Sequence, residues 1–157
     1  KIYKYLKKNN IETFLYSYLE EEERYMNYGV LIIDTFGDLP KFYYDARYIY
    51  VGGGFSKRGV QNVIEPSTYG RPILVGPNID SFYEEIINLR KDKGITVIED
   101  NDWIPVQENI AQHIRKLNDL DDETLGKMGG AAKAYSLKFN DIIEKYVKLL
   151  KEERIIN

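Results

Sequence analysis

The fold class follows from one segment of the chain, Ile49-Tyr50-Val51-Gly52-Gly53-Gly54-Phe55-Ser56-Lys57-Arg58-Gly59. It begins with a short β-prone run and continues without a break into a glycine-rich loop. A short apolar run that ends in such a loop is typical of a buried strand in a parallel sheet. In open α/β sheets, ligands bind in the loops at the carboxyl ends of the strands. The segment therefore predicts an α/β fold and a ligand-binding edge.

Further apolar runs repeat this pattern between stretches with helical periodicity. The alternation predicts a single parallel sheet that is flanked by helices on both faces. The three middle runs are apolar throughout, so we expect those strands to be buried on both faces. The predicted strands are residues 13–18, 30–33, 49–51, 73–75 and 95–98.

Helix signals are clearest in the second half of the chain. Asp80 or Ser81 is expected to cap a helix that runs to Arg90, with Glu84 completing a capping box and Gly94 terminating the helix. The C-terminal third is predicted to be helical, because apolar residues recur there at helical spacing. The two apolar stripes are Ile110, Ile114 and Leu117, and Ile142, Tyr146, Leu149 and Leu150.

Composition narrows the class of protein. The 157 residues carry 22 Lys and Arg against 25 Asp and Glu, a formal net charge of −3. This balance gives no general attraction to nucleic acid or to an anionic membrane. The chain has no cysteine, so it forms no disulfide or thiolate metal site, and its apolar runs are far shorter than the ~20 residues of a membrane-spanning helix. We expect one soluble domain over residues 1–157.

The glycine run is the first candidate for binding chemistry. Gly52, Gly53 and Gly54 could adopt positive φ and let the backbone approach a phosphate. The run matches neither the G-x-G-x-x-G dinucleotide fingerprint nor the Gly-Lys-Ser/Thr ending of a P-loop. A tight structural turn is the alternative interpretation of the same residues.

Glu65 is the second candidate. We expect it to lie one or two turns into a helix that begins beside the glycine loop, where its carboxylate could accept two hydrogen bonds from a ribose diol. The competing interpretation is a surface glutamate that happens to precede Pro66.

Several segments, taken in order, carry a family resemblance. They resemble the C-terminal domain of bacterial 3-deoxy-D-manno-octulosonic acid (Kdo) transferases. Glu-Pro and Gly-x-Pro elements are widespread among GT-B glycosyltransferases, whereas the Asp-Thr-Phe-Gly loop and the Arg-Gly-x-x-Asn segment are more specific. The segments are Asp34-Thr35-Phe36-Gly37-Asp38-Leu39, Val51-Gly52-Gly53-Gly54-Phe55, Arg58-Gly59, Asn62-Val63-Ile64-Glu65-Pro66, Gly70-Arg71-Pro72 and Gly76-Pro77.

The resemblance implies a fold, a reaction and a site. Enzymes of this family have two Rossmann-like domains that face a cleft, and they transfer Kdo from CMP-Kdo to a lipid A precursor in lipopolysaccharide biosynthesis. CMP-Kdo would be the donor substrate, with no metal or other cofactor. By resemblance, the CMP site is formed by Phe36, Gly37, Asp38, Asn62, Val63, Ile64 and Glu65, and it is supported by Gly52, Gly53, Gly54, Arg58 and Gly59.

Three positions depart from the family pattern. Val60 and Gln61 stand where members usually have glycine and histidine, and Asp38 stands where glutamate is usual. Gln61 can donate a hydrogen bond but cannot carry a titratable proton. These departures bear on which donor is bound and leave the fold prediction unchanged.

By the same resemblance, the catalytic glutamate, the acceptor-binding domain and the membrane anchor would precede residue 1. We therefore expect a partial donor domain, inactive by itself and with no catalytic residue, whose parent protein acts at the cytoplasmic face of the bacterial inner membrane. Lipid A precursor and membrane would be contacted only through the missing part, and no nucleic acid is expected. Two alternatives remain open. One is a GT-B domain for a UDP-sugar, in a transferase or an epimerase, and the other is a non-catalytic interaction domain with the same fold.

Overall fold

The computed structural model describes residues 1–20 and 29–153, without the side chains of residues 140, 141 and 143. Helices and short parallel strands alternate along the chain, which forms two compact units, Lys1–Phe42 and Tyr43–Asn157. Each unit is described by itself. The elements are α1 (Ile2–Lys8), β1 (Thr13–Leu15), a 3₁₀ turn (Tyr16–Tyr18), β2 (Val30–Ile32), α2 (Leu39–Asp45), β3 (Ile49–Val51), α3 (Ile64–Ser67), β4 (Ile73–Val75), a second 3₁₀ turn (Asp80–Phe82), α4 (Tyr83–Lys91), β5 (Ile95–Val97), α5 (Val106–Asn118) and α6 (Asp122–Glu152).

The first unit contains a two-stranded parallel sheet, in which Thr13 of β1 is paired with Val30 of β2. The predicted strand 13–18 is too long, because β1 ends at Leu15 and the chain turns through Tyr16–Tyr18. The turn is stabilised by Tyr16, which is buried and packs edge-on against Phe42 with ring centroids 5.3 Å apart. Tertiary packing therefore overrides the β propensity of these residues.

The second unit contains a three-stranded parallel sheet in the order β3-β4-β5. The register pairs Ile49 with Ile73 and Ile73 with Ile95. All of β4 is buried, as is most of β3, so these two predictions are confirmed. The residues of β2, by contrast, are only partly buried. The parallel strands are also confirmed, but they form two sheets and not the single sheet that we predicted.

Helix α4 begins and ends differently from the prediction. Neither Asp80 nor Ser81 caps it, because these residues form a 3₁₀ turn and the helix starts at Tyr83 without a side-chain cap. At its end, the residue with positive φ is Lys93, at 60°, and not the predicted terminator Gly94. The N–H groups of Lys93 and Gly94 donate to the carbonyls of Arg90 and Leu89, which is the bonding pattern of a Schellman motif.

Helix α5 and the first half of α6 cover the three-stranded sheet. Leu117 is buried, and Ile110 and Ile114 pack in the same apolar cluster, which confirms the first predicted stripe. The second predicted stripe lies on a helix, as expected, since α6 runs over Asp122–Glu152, but most of the stripe is exposed: Ile142 is 44% exposed, Tyr146 63% and Leu149 51%. Within the described residues, no helix is both long enough and apolar enough to cross a membrane.

Two glycines set how closely α6 approaches the rest of its unit. A Cβ atom on Gly129 would lie 2.0 Å from the carbonyl oxygen of Gly70, and one on Gly94 would lie 2.7 Å from the backbone nitrogen of Ala132. Gly94 was predicted to terminate α4. In the structure a glycine is needed at this position for a further reason, because α6 packs against its backbone.

Candidate functional site

The loop that follows β2 is held by the carboxylate of Asp34. Its two oxygens accept hydrogen bonds from the backbone N–H of Ser17 at 2.9 Å and from the Ser17 hydroxyl at 2.7 Å. These bonds favour the charged carboxylate and hold the pKa of Asp34 below its ordinary value, against a smaller opposing effect of desolvation. Asp34 therefore ties this loop to the turn after β1.

A second carboxylate closes the same loop. The hydroxyl of Thr35 donates to Asp38 at 2.6 Å, and the ammonium of Lys41 lies 2.7 Å from the other oxygen of Asp38. Asp38 was predicted to contact the nucleotide, and the structure shows it bonded to its own loop and to α2. These two contacts hold Asp38 in place and so order the loop on either side of it.

Two of the residues between these carboxylates, Phe36 and Gly37, face open space. The Phe36 side chain is fully exposed, at 106% of its reference area, and Gly37 has φ +84° with nothing within 4 Å of where a Cβ would stand. An aromatic ring in water that is held by a fixed loop is suited to stacking on a planar base. Positive φ at Gly37 explains why glycine is required in this turn.

The glycine loop after β3 packs mainly against its own chain. Gly53 has φ +97°, and a Cβ there would lie 2.3 Å from the carbonyl oxygen of Gly59. A Cβ on Gly54 would lie 2.7 Å from the Cα of Gly76 in the loop after β4. Helix α3 begins only at Ile64, so its N-terminus does not directly follow the glycines. Gly53 and Gly54 thus fit the tight-turn interpretation, whereas Gly52 borders open space.

Glu65 lies exposed in the first turn of α3, a helix of only 4 residues, and not one or two turns into a longer helix. The side chain of Asn62 accepts a hydrogen bond from the N–H of Ile64 at 2.9 Å and so fixes the start of this turn. Val63 has no exposed surface, so only its backbone could contact a ligand, and Ile64 packs against the core. Glu65 is the residue of this segment that presents a charged group to solvent.

Two tyrosines beside Glu65 were not identified from the sequence. The rings of Tyr43 and Tyr69 are 5.4 Å apart. Burial raises the pKa of Tyr43, and the charge of Glu65 adds to the effect, as does Tyr69. Tyr43 thus remains a neutral hydrogen-bond donor near the Glu65 carboxylate. The sequence has 14 tyrosines, and no pattern distinguishes these two.

The structure also explains one departure from the family pattern. Val60 is 2% exposed and belongs to the main core cluster, so its side chain contributes packing rather than ligand contact. Gln61 is exposed, and its N–H donates to the carbonyl of Gly52 at 3.1 Å. Arg58 is exposed, and its carbonyl accepts a hydrogen bond from the hydroxyl of Ser81.

The predicted site residues are distributed over both units. Phe36, Gly37 and Asp38 lie in Lys1–Phe42, and the remaining residues lie in Tyr43–Asn157. In each unit they follow the carboxyl end of a parallel strand, β2 in the first and β3 in the second.

Known proteins with a similar fold and similar sequences support the α/β fold described above. The chain superposes with a TM-score of 0.66 on the C-terminal CMP-Kdo binding domain of WaaA from Acinetobacter baumannii, over 85% of this chain and 65% of that one, at 18% identity. It is 43% identical over 53 residues to a 3-deoxy-D-manno-octulosonic acid transferase of Bordetella pertussis, and 36% identical over 77 residues to one of Chlamydophila psittaci. The chain is similar to the C-terminal domain of Kdo transferases.

This similarity confirms the resemblance and the α/β fold class that the sequence predicted. The matched segments cover 34% and 48% of this chain but only 12% and 17% of those two transferases, so the chain spans a small part of their length. No protein-family model matches the chain.

Proposed function

We propose that this chain is the donor-nucleotide-binding part of a Kdo transferase, a glycosyltransferase that uses CMP-Kdo. The observation that carries the proposal is the loop of residues 34–38, in which Asp34 and Asp38 are bonded within the unit and the Phe36 ring is left fully exposed. The curated transferases and the CMP-Kdo binding domain to which the chain is similar support the choice of donor.

In this proposal Phe36 stacks on the cytosine ring, and the backbone at Gly37 approaches the nucleotide closely. Stacking on an aromatic side chain contributes about 1–3 kcal/mol per base and does not discriminate strongly between bases. The role of Glu65 in the proposal comes from the family resemblance, which implies that its carboxylate accepts hydrogen bonds from the ribose hydroxyls. Asn62 acts on Glu65 indirectly, because its side chain fixes the first turn of α3.

The acceptor and the location are part of the same proposal. By resemblance, the acceptor is a lipid A precursor, and transfer takes place at the cytoplasmic face of the bacterial inner membrane. Inversion at the transferred sugar requires a base on the acceptor hydroxyl and stabilisation of the departing CMP phosphate.

Calorimetric titration of the chain with CMP tests the proposal, with UMP and UDP as comparison ligands. We expect CMP to bind most tightly, and Glu65→Ala to weaken binding about tenfold because a charge-assisted hydrogen bond is lost. Phe36→Ala is expected to weaken CMP and UMP binding by similar factors, since stacking tolerates either base.

Glu84→Ala is the matched control, because Glu84 is an exposed glutamate in the first turn of a different helix of the same unit. It should leave CMP affinity unchanged. Absence of CMP binding, or equal effects of the Glu65 and Glu84 variants, would exclude the site. Preference for UDP over CMP would favour the alternative, a domain for a UDP-sugar.

A further inference from the structure

A cavity of about 360 Å³ lies at the amino-terminal ends of β3 and β4. Its wall is formed by the residues that precede these two strands and by the start of α6, all within the second unit. Small-molecule sites usually have volumes of roughly 300–1,000 Å³. The nucleotide-site candidates of this unit follow the carboxyl end of β3, so the cavity lies at the opposite end of the strands and contains none of them.

Arg71 lines this cavity, and the hydrogen bonds of its guanidinium are incomplete. A guanidinium carries several N–H donors on a planar fork. Here Nη2 donates to the carbonyl of Tyr44 at the end of α2, Nη1 forms no hydrogen bond with a described residue, and Nε is buried without a partner. In the part of the chain that the structure describes, this Nε is the only such buried side-chain atom. An acceptor that enters the cavity would therefore satisfy a group that the protein leaves unsatisfied.

The other charges of the cavity are one ion pair and one unpaired carboxylate. Arg47 lies 2.8 Å from an oxygen of Asp122 and donates a second hydrogen bond to the carbonyl of Leu120, so this pair is neutral. The exposed carboxylate of Asp45 forms neither a salt bridge nor a hydrogen bond with a described residue. Arg71 bonds to the carbonyl of the residue before Asp45, yet no salt bridge joins the two side chains. One cation and one anion thus lie near each other and remain unpaired.

The rest of the wall is apolar and leaves room for a side chain. Pro72 is fully buried and Leu125 is 5% exposed, and both line the cavity. Gly126 follows Leu125 on α6 and lines it too, and a Cβ on Gly126 would have nothing within 4 Å. Glycine at this position therefore keeps the apolar part of the cavity open.

We propose that this cavity binds a free α-amino acid with an aliphatic side chain, whose carboxylate accepts hydrogen bonds from Arg71 and whose ammonium donates to Asp45. An α-amino acid carries both charges on one carbon, which matches two opposite charges that are close and unpaired. The ligand has no net charge, and neither has the wall, with its two arginines and two aspartates. The aliphatic side chain lies against Pro72 and Leu125. This site is independent of the proposed nucleotide site.

Titration of the isotope-labelled chain with L-leucine, followed by NMR of the backbone amides, tests the proposal. We expect saturable shifts at Gly70 and Gly126, which line the cavity. Isocaproate has the side chain and carboxylate of leucine without the ammonium, and isoamylamine has the ammonium without the carboxylate. Each should bind about tenfold more weakly than L-leucine or worse, because a charge-assisted hydrogen bond is lost.

Neighbouring glycines of α6 give a matched pair of variants. Gly126 and Gly130 are both exposed, and a Cβ on either would have nothing within 4 Å, but Gly130 does not line the cavity. We expect Gly126→Met to fill the cavity and abolish L-leucine binding, and Gly130→Met to leave it unchanged. Asp45→Asn should weaken binding about tenfold, because the ammonium loses a charged acceptor. Asp119→Asn, at an exposed aspartate outside the cavity, should have no effect.

Absence of saturable shifts at Gly70 and Gly126 would overturn the proposal. Equal affinities for L-leucine and isocaproate would do so as well, since the site would then recognise an anion and not an amino acid. Equal binding by the Gly126 and Gly130 variants would place the ligand elsewhere. Asp45→Asn changes only an exposed side chain, so it tests the same site if Gly126→Met does not fold.

Discussion

Asp34 shows how a single carboxylate can order a loop. Both of its oxygens are bonded to Ser17, and this arrangement leaves Phe36 two residues later with nothing to pack against. The sequence placed Phe36 and Gly37 in a candidate site through family resemblance alone. It could not show that Ser17 holds the loop, because the two residues are 17 positions apart.

Replacing Ser17 tests the role of Asp34. In Ser17→Ala the side-chain bond is lost, so we expect the pKa of Asp34 to rise toward its ordinary value of 3.8. Because the folded-state pKa of Asp34 is lowered, its contribution to stability is present above that value and lost as pH falls through the folded pKa. The variant should therefore show a weaker loss of stability in acid.

NMR titration of the carboxyl groups measures this shift. Asp121 is the internal control, since Thr124 lowers its pKa by equivalent bonds in the other unit. An Asp34 pKa that does not move in Ser17→Ala would contradict the assignment.

Among the helices and strands, the bounds that were predicted correctly are those that the local sequence determines. Strands β3 and β4 were predicted with their observed bounds, because each is a continuous apolar run that glycine ends on the carboxyl side. The end of β1 and the start of α4 were missed. In both places the backbone contacts residues that are distant in sequence: Phe42 packs on Tyr16, Asp34 accepts hydrogen bonds from Ser17, and the carbonyl of Arg58 accepts one from Ser81.

Neighbouring glycines in α6 give a matched pair of variants. A Cβ on Gly129 would clash with the backbone of Gly70, whereas a Cβ on Gly130 would have nothing within 4 Å. We expect Gly129→Ala to destabilise the protein by about 1–3 kcal/mol through overpacking. Gly130→Ala should stabilise it by about 0.5–1 kcal/mol, because alanine restricts the unfolded chain and favours the helix.

Urea denaturation of both variants measures the difference. If the two substitutions change the free energy of unfolding by the same amount and sign, α6 does not approach Gly70 as the structure shows.

At the scale of the whole molecule, the parallel strands divide into sheets of two and three. Hydrophobic periodicity identifies a strand but does not identify its neighbour, so the division could not be predicted.

One edge of β3 is unpaired within the described residues. The N–H of Ile49 donates toward β4. Because backbone groups point alternately to the two sides of a strand, the N–H and C=O of Tyr50 point to the opposite edge of β3, where no strand of the described residues is paired.

We expect this edge to promote self-association, since β3 has no charged or proline residue that would oppose edge pairing. Sedimentation velocity over a concentration range should show an average mass that rises with concentration. Raising the salt concentration should not reverse it, because backbone hydrogen bonds mediate the contact. A constant monomer mass, or dissociation by salt, would contradict edge pairing.

The contact between Gly54 and Gly76 joins the loops after β3 and β4, and neither glycine has room for a Cβ. The two loops are therefore fixed to each other at the carboxyl-terminal edge of their sheet. We expect a displacement that begins in the glycine loop to move the loop after β4 with it, because the two backbones cannot slide past each other without a clash.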